Sequence, residues 1–447
     1  MKLNIKFRKH NFLKSEFTQN ILTMISGVFL GQVIIMLSTP IISRIFLPET
    51  IGEYDLIISS GAIIIVILGL GLMTAIMIPK EDDESNAICY ILKYSCMFIG
   101  LIIFVLLCLI SPWCTLFSVK NGYILKLFFM FLYIFSYMLS QIYYAAANRK
   151  GLYRALFLNS LTYSIFNVLF SCLLGFLGFG VYGYITGTIL GNIARMIQIR
   201  FSVNPFAKKY DLNYMKEVFT KYRHFTKYQM PANLLNSITV QVPLQLIAFY
   251  FGGTALGHFS MANKIINLPN TFIAIPVNRV YYQTATKMYN ENQDVGNFSF
   301  KMIQKNIQLA IIPVILLMLF GEELFSFFLG SNWHTAGIFA STLVLSSLMQ
   351  FCGSCLSNNY MIIRKPQLNL YLSLLSLVLN ISIIVTCGII GLPIEKMLFI
   401  YSLGICLKVS IDLGYFLYLT KFPIKKFLVF DCIFIFVPLL LYLILHA

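Results

Sequence analysis

The chain has 447 residues, 58% hydrophobic and 11% charged, with a mean hydropathy of +0.80 and a formal net charge of +16. This balance excludes a water-soluble globular domain and indicates a polytopic membrane protein. The positive charge invites a nucleic-acid reading, which the placement of the basic residues removes.

A spanning helix needs about 20 apolar residues. Thirteen such segments are predicted, near 17–41, 52–78, 88–111, 122–147, 153–177, 180–202, 228–251, 257–284, 304–329, 334–361, 367–390, 394–420 and 427–445. Residues 1–16 form a basic tail. The apolar run after it is long and lacks a small-x-small cleavage site, so it reads as an uncleaved first span. With the tail in the cytoplasm, the same side also holds Lys80, Arg149, Lys150, Arg154, Arg200, the basic stretch 208–227, Lys287, Lys301, Lys305, Arg364, Lys365, Lys421, Lys425 and Lys426. The opposite loops hold only Arg44, Lys120, Lys126 and Lys396. This asymmetry is the positive-inside pattern and puts the N-terminus in the cytoplasm. The excess charge is then topological, with contact to anionic lipid as a by-product.

The polar stretch 203–227 is basic and amphipathic, and it separates six spans (17–202, an N-lobe) from six more (228–420, a C-lobe). It reads as a cytoplasmic connection that lies along the membrane surface. The segment 427–445 is an extra, thirteenth hydrophobic helix. Three echoes relate the halves in the same direction: "FLPETIGEY" with "FGGTALGHF", "NRKG" with "IRKP", and "GNIAR" with "GICLK". They indicate a parallel repeat, a common way of building transporters. The last echo places Arg195 and Lys408 at equivalent depths in the sixth span of each half.

Ten cysteines are scattered along the spans and imply no disulfide framework; Cys352 and Cys355 of "CGSC" read as small packing residues rather than a metal or redox pair. No metal, cofactor or catalytic site is predicted.

Spans seven and eight each carry a polar stripe at helical spacing. In the first it is Asn233, Ser237, Gln241 and Gln245; in the second, Asn263, Asn267, Asn270 and Asn278. Amides cost several kcal/mol in hydrocarbon without partners, so these faces meet protein or water. Helix–helix hydrogen bonds, at roughly 1 kcal/mol each, are one reading. The length of both stripes favours a hydrated cavity. Lys264, Arg195, Lys408 and Arg279 are candidate cations along that pathway, with snorkelling to an interface as the competing account for Lys264, Arg279 and Lys93. Asp412 follows Lys408 by one turn as an ion pair or coupling carboxylate. Asp412 and Asp431 read as the only carboxylates clearly inside spans, which suits an anionic, phosphate-bearing cargo. Pro243, Pro269 and Pro276 are expected to bend spans seven and eight. Gly183, Gly187 and Gly191 fall on one face and predict close helix packing.

Taken together, "TPIISRIFLPETIGEYDL" (39–56), "AIMIPKEDDES" (75–85), "ANRKGLYRALFLNSL" (147–161), the stretch 230–274 and "FGEELFSFFLGSNWHTAG" (320–337) resemble the bacterial polysaccharide flippases. These include O-antigen and capsule-unit exporters of the multidrug/oligosaccharidyl-lipid/polysaccharide exporter superfamily. The resemblance covers about residues 17–420. It implies an all-α membrane protein with twelve core spans in two six-helix lobes, a V-shaped bundle around a central cavity. The implied activity is flipping an undecaprenyl-pyrophosphate-linked oligosaccharide to the outer leaflet of the cytoplasmic membrane by alternating access. Implied partners are that lipid-linked oligosaccharide, the membrane lipids, and a polysaccharide polymerase with its chain-length machinery. Lys264 stands where the family often carries arginine. "LGLMT" (70–74) departs from the family, lacking a charge pair that many relatives keep there. A drug or cation antiporter of the same fold is the second reading. A membrane polymerase or glycosyltransferase is the third; that class needs acid/base groups or a sizeable outer catalytic loop, and the outer loops here are short. No nucleotide-binding motif is present.

Overall fold

The computed structural model describes residues 16–110, 123–365 and 367–432. Among these residues every regular element is helical and no strand occurs. In a bilayer the backbone must satisfy its own hydrogen bonds, and a helix does so within one segment. The helices are α1 (Glu16–Ile45), α2 (Pro48–Leu68), α3 (Asp82–Tyr94), α4 (Gly100–Ile110), α5 (Tyr123–Arg149), α6 (Tyr153–Phe176), α7 (Gly180–Arg200), α8 (Leu212–Phe251), α9 (Gly253–Ile266), α10 (Ile275–Asn290), α11 (Val295–Leu329), α12 (His334–Cys355), α13 (Asn359–Ile362), α14 (Gln367–Ile390) and α15 (Ile394–Leu419). Ten helical segments among the described residues are long and apolar enough to cross a membrane. The chain is a multi-pass membrane protein. All but the first few residues of the predicted 427–445 helix lie outside the described residues, as does nearly all of the 1–16 tail.

Three spans differ in form from the prediction. The third begins at Asp82, and a single π turn, Ser95–Ile99, joins α3 to α4. The seventh is α8, a 40-residue helix that starts inside the predicted connection and continues through Pro243 without interruption. The eighth is broken: α9 ends at Ile266, a π turn covers Asn270–Ala274, and α10 follows. Pro269 lacks an amide hydrogen, and the break falls there.

By contacts the chain divides into two units. The first comprises residues up to Phe46 together with Ile57–Ser237. In it α7 lies tight against α6. A β-carbon on Gly187 would stand 2.1 Å from Ser171 Oγ, and one on Gly183 would meet Leu174 at 3.1 Å. Gly191 meets Asn167 at the same distance, so the three predicted glycines do form a packing face. The stretch 203–227 is packed on this unit and is not a free connection. Met215, Val218 and Tyr222 are buried with Leu72, Ile76, Ile88 and Leu92. Around them, Lys208 pairs with Asp83 and Lys221 with Glu84, while Tyr210 and Tyr222 donate to the same two carboxylates at 2.8 and 3.1 Å. Arg149 Nε donates to Asp82 at 3.2 Å.

The second unit comprises Leu47–Leu56 and the chain from Ile238 onward, so the opening turns of α2 belong to it. Helix α12 runs through its middle and is buried along nearly its whole length. α11, kinked at Phe320, packs against α12 where Gly321 faces Gly337. The start of α2 lies on α9. A β-carbon on Gly52 would sit 1.8 Å from the Gly253 carbonyl oxygen, and one on Gly257 would sit 1.8 Å from that of Pro48. The first pair of sequence echoes, "FLPETIGEY" and "FGGTALGHF", is thus a pair of segments in contact.

Candidate functional site

A polar cavity of about 390 Å³ lies within the second unit, where α8, α9, α12, α14 and α15 converge. Asn263 of α9 and Asn267, the residue just past its end, line it and are two of the predicted stripe. The asparagines form a ladder: Asn270 Nδ2 donates to Asn267 Oδ1 at 2.8 Å, and Asn267 Nδ2 donates to Asn263 Oδ1 at 2.6 Å. Lys408 of α15 lines the same cavity, and its ammonium lies 3.7 Å from Asp412 Oδ2 one turn on. Tyr360 donates its phenol to the Asp412 carbonyl at 2.8 Å, fixing that turn. No carboxylate is among the cavity-lining residues described.

Further polar residues line it without being singled out from the sequence, among them Ser346, Ser347 and Gln350 of α12 and Ser376 and Asn380 of α14. The signal was available. Residues 346 and 350, and 376 and 380, repeat the four-residue spacing that identified the stripes on spans seven and eight. Ser347 has a second duty, because its hydroxyl donates to the Ile266 carbonyl at 2.7 Å, where α9 breaks. A side-chain donor from a neighbouring helix satisfies backbone that the break exposes.

The stripe on α8 is placed differently from the prediction. Its cavity-facing residues are Thr239, Val240, Pro243 and Leu244, whereas Gln241 and Gln245 turn away and do not line this space. Nor does Ser237, the last residue of the first unit. Asn233 lines a separate cavity of about 280 Å³ inside the first unit, with Tyr137, Gln141 and Tyr144, and accepts from Gln229 at 3.0 Å. Asn278 acts as structural glue rather than cavity lining. It donates to the Cys355 carbonyl at 3.1 Å and accepts from Asn358 at 2.7 Å, tying α10 to the end of α12. Arg279 is exposed on α10 and lines neither cavity.

Arg195 sits in the interior of the first unit. Its guanidinium lies over the rings of Tyr163 and Tyr137, at 4.7 and 5.4 Å from their centroids, and Nε donates to Ser140 at 3.1 Å. Its Nη2 and both amide atoms of Asn192, three residues earlier, are buried without a hydrogen-bond partner among the described residues. Tyr137 is shared between Arg195 and the smaller cavity, so the cation stands behind that wall.

Lys264 does not line the cavity either. It is exposed on α9 and lies in the field of Asp55, which accepts a hydrogen bond from Ser260. Asp55 corrects the reading that carboxylates inside spans are confined to Asp412 and Asp431. It lies in α2, itself one of the helices long and apolar enough to cross a membrane, and faces the lysine of α9. The sequence placed it close to the outer end of a span, where an acid attracts little notice; its partner is about 200 residues away.

Comparison with known proteins adds to this geometry. The profile of a family described as "Polysaccharide biosynthesis protein" matches residues 41–338. The succinoglycan biosynthesis transport protein ExoT of Rhizobium meliloti (strain 1021) is 22% identical over 315 residues, 69% of this chain. The chain covers 62% of that relative's length. Among solved structures, the lipid II flippase MurJ superposes with a TM-score of 0.69 at 17% identity, over 95% of this chain and 92% of its own. A multidrug resistance MATE family transporter of the MOP superfamily gives 0.63 at 14% identity, over 91% and 99%. The all-α exporter fold is that of these proteins.

Proposed function

We propose, from the premise that this chain belongs to the polysaccharide biosynthesis protein family, that it is a flippase for a lipid-linked oligosaccharide. The substrate is an undecaprenyl-pyrophosphate-linked repeat unit, moved from the inner to the outer leaflet of the bacterial cytoplasmic membrane by alternating access. The N-terminus lies in the cytoplasm, as the asymmetry of basic loops supports. A polysaccharide polymerase and its chain-length machinery would take up the product.

One observation carries this reading: the cavity in the second unit joins a lysine to a lining of amides and hydroxyls, with no acid among its described residues. Amides and hydroxyls suit sugar hydroxyls, and the ammonium suits a phosphate oxygen. A cation antiporter needs a carboxylate open to its ion. Asp55 faces Lys264 and Asp412 faces Lys408, so each already has a cationic neighbour, while Asp431 is buried and does not line the cavity. That favours the flippase over the antiporter.

The deciding experiment is the sidedness of lipid-linked glycan in cells lacking this gene. Oligosaccharide-lipid should accumulate on the cytoplasmic leaflet and surface glycan should be lost. Persistent surface glycan with altered drug or ion tolerance would establish the antiporter instead. In the complemented strain, Lys408→Ala and Arg195→Ala are expected to lower surface glycan at least tenfold, a loss of about 1.4 kcal/mol or more, at unchanged protein level. Normal export in both variants would remove the cationic pathway.

A further inference from the structure

At one end of the second unit, the turns after α10, α13 and α15 enclose a cleft of about 710 Å³. Arg364, Lys365 and Lys421 line it with Asn290, Asn292 and Asp294. It is separate from the polar cavity and shares no lining residue with it.

Three features of this cleft call for a common cause. First, its charge is unbalanced. Among the described residues no carboxylate lies within ion-pair distance of Arg364, Lys365 or Lys421. Asp294 caps α11 by accepting from the Asn297 amide at 2.8 Å, and the nearby Glu291 is paired with Lys287. Second, the repeat-related arginine in the first unit is neutralised. Arg149 of "NRKG" binds Asp82, and Lys208 and Lys221 beside it bind Asp83 and Glu84. Among the described residues, Arg364 of "IRKP" donates to the side-chain amide oxygen of Asn290, at 3.5 Å, and to no carboxylate. Third, the backbone is in the left-handed region at Asn292 (φ 53°), Arg364 (φ 58°) and Lys421 (φ 58°), three of the four non-glycine residues with positive φ among the described residues. Glycine or asparagine is the ordinary choice at such helix-ending positions. Asn292 follows that rule, whereas Arg364 and Lys421 do not. The helix dipole explains a cation at the end of α15, but α13 is a single turn with little dipole to satisfy. Strained, charged positions gathered around one cleft are the pattern of a binding site.

We propose that this cleft binds a phosphate group. Arg364 supplies a planar fork of donors, and Lys365 and Lys421 supply point charges, the combination that recognises phosphate oxygens. The cleft sits where spanning helices end, at the level of lipid headgroups, so the phosphate can come from an anionic phospholipid or from a soluble phosphate compound. The site is independent of the transport reading and requires no movement of cargo.

The test uses the full-length protein, delipidated in detergent, titrated with dihexanoyl phosphatidylglycerol and separately with inorganic pyrophosphate. Dihexanoylglycerol, with the same chains and no phosphate, controls for acyl-chain binding. Saturable binding of phosphatidylglycerol above that control identifies the headgroup source, and binding of pyrophosphate alone identifies the soluble source. The double variant R364Q/K421Q should weaken whichever ligand binds by roughly tenfold per cation removed. A second variant, Lys421→Gly, relieves the left-handed strain while removing one cation. It should melt no lower than the parent protein and still lose about tenfold in affinity. If neither probe binds, or if both variants bind as the parent does, the site is overturned.

Discussion

Gly52 and Gly257 hold two backbones closer than any side chain allows. Each β-carbon would fall 1.8 Å from a carbonyl oxygen, a distance that no rotamer change relieves because both partners are backbone. Gly257→Ala is therefore expected to push α9 off the start of α2 and cost about 1–3 kcal/mol. A fall in the detergent melting temperature checks it, with Gly253→Ala as the control, since a β-carbon there meets nothing within 4 Å. At this scale the sequence was partly legible. The glycines stood out because "FLPETIGEY" and "FGGTALGHF" echo each other, yet nothing in the strings said that the echoed segments touch. Arg195 was likewise visible as an intramembrane cation. Its cage of Tyr137, Tyr163 and Ser140 comes from two other helices and no local spacing announces it. Asp55 carries no local signal, because an acid near a helix end is ordinary and only its distant partner Lys264 makes it notable.

Helix α3 is joined to the start of α8 and to the stretch just before it by a row of charges. Asp83 and Glu84 of α3 hold Lys208, Tyr210, Lys221 and Tyr222, and both lysine side chains are exposed to solvent. Exposed pairs are screened by salt. Hydrogen exchange over residues 206–222 should therefore rise from low salt to 0.5 M, and rise at all salt concentrations in the double variant Asp83→Asn, Glu84→Gln. Unchanged protection would mean that Met215, Val218 and Tyr222, buried against Leu72 and Ile88, hold the segment unaided. Element positions were the most legible feature, because apolar length reports directly on a bilayer. Element ends were less so. The start of α8 is amphipathic and basic, which reads as a connection along the membrane surface, and its apolar face is instead packed against α3. The polar face of α8 departs from its expected position for a related reason. A four-residue stripe fixes which residues share a face, but it does not fix which neighbour that face meets, and α8 turns Thr239 and Pro243 to the cavity instead.

On the scale of the whole chain, apolar patterning and loop charge were sufficient for an all-helical, multi-pass protein, and the echoes suggested two related halves. The family assignment rests on residues 41–338, which reach from the end of α1 into α12. What patterning missed is that the halves are not cleanly divided in sequence. Pro48–Leu56 precedes most of the first unit yet belongs with the second. Gly52 meets Gly253 across about 200 residues, a separation that makes contact formation slow and late. This has a consequence for biogenesis. During synthesis the opening turns of α2 enter the membrane with their partner still untranslated, and they wait there unpaired until α9 emerges. Residues 203–447 made alone should accordingly insert but remain protease-sensitive around Gly253 and Gly257. Supplying residues 1–202 as a second polypeptide should restore protection, and a fragment ending before Pro48 should not.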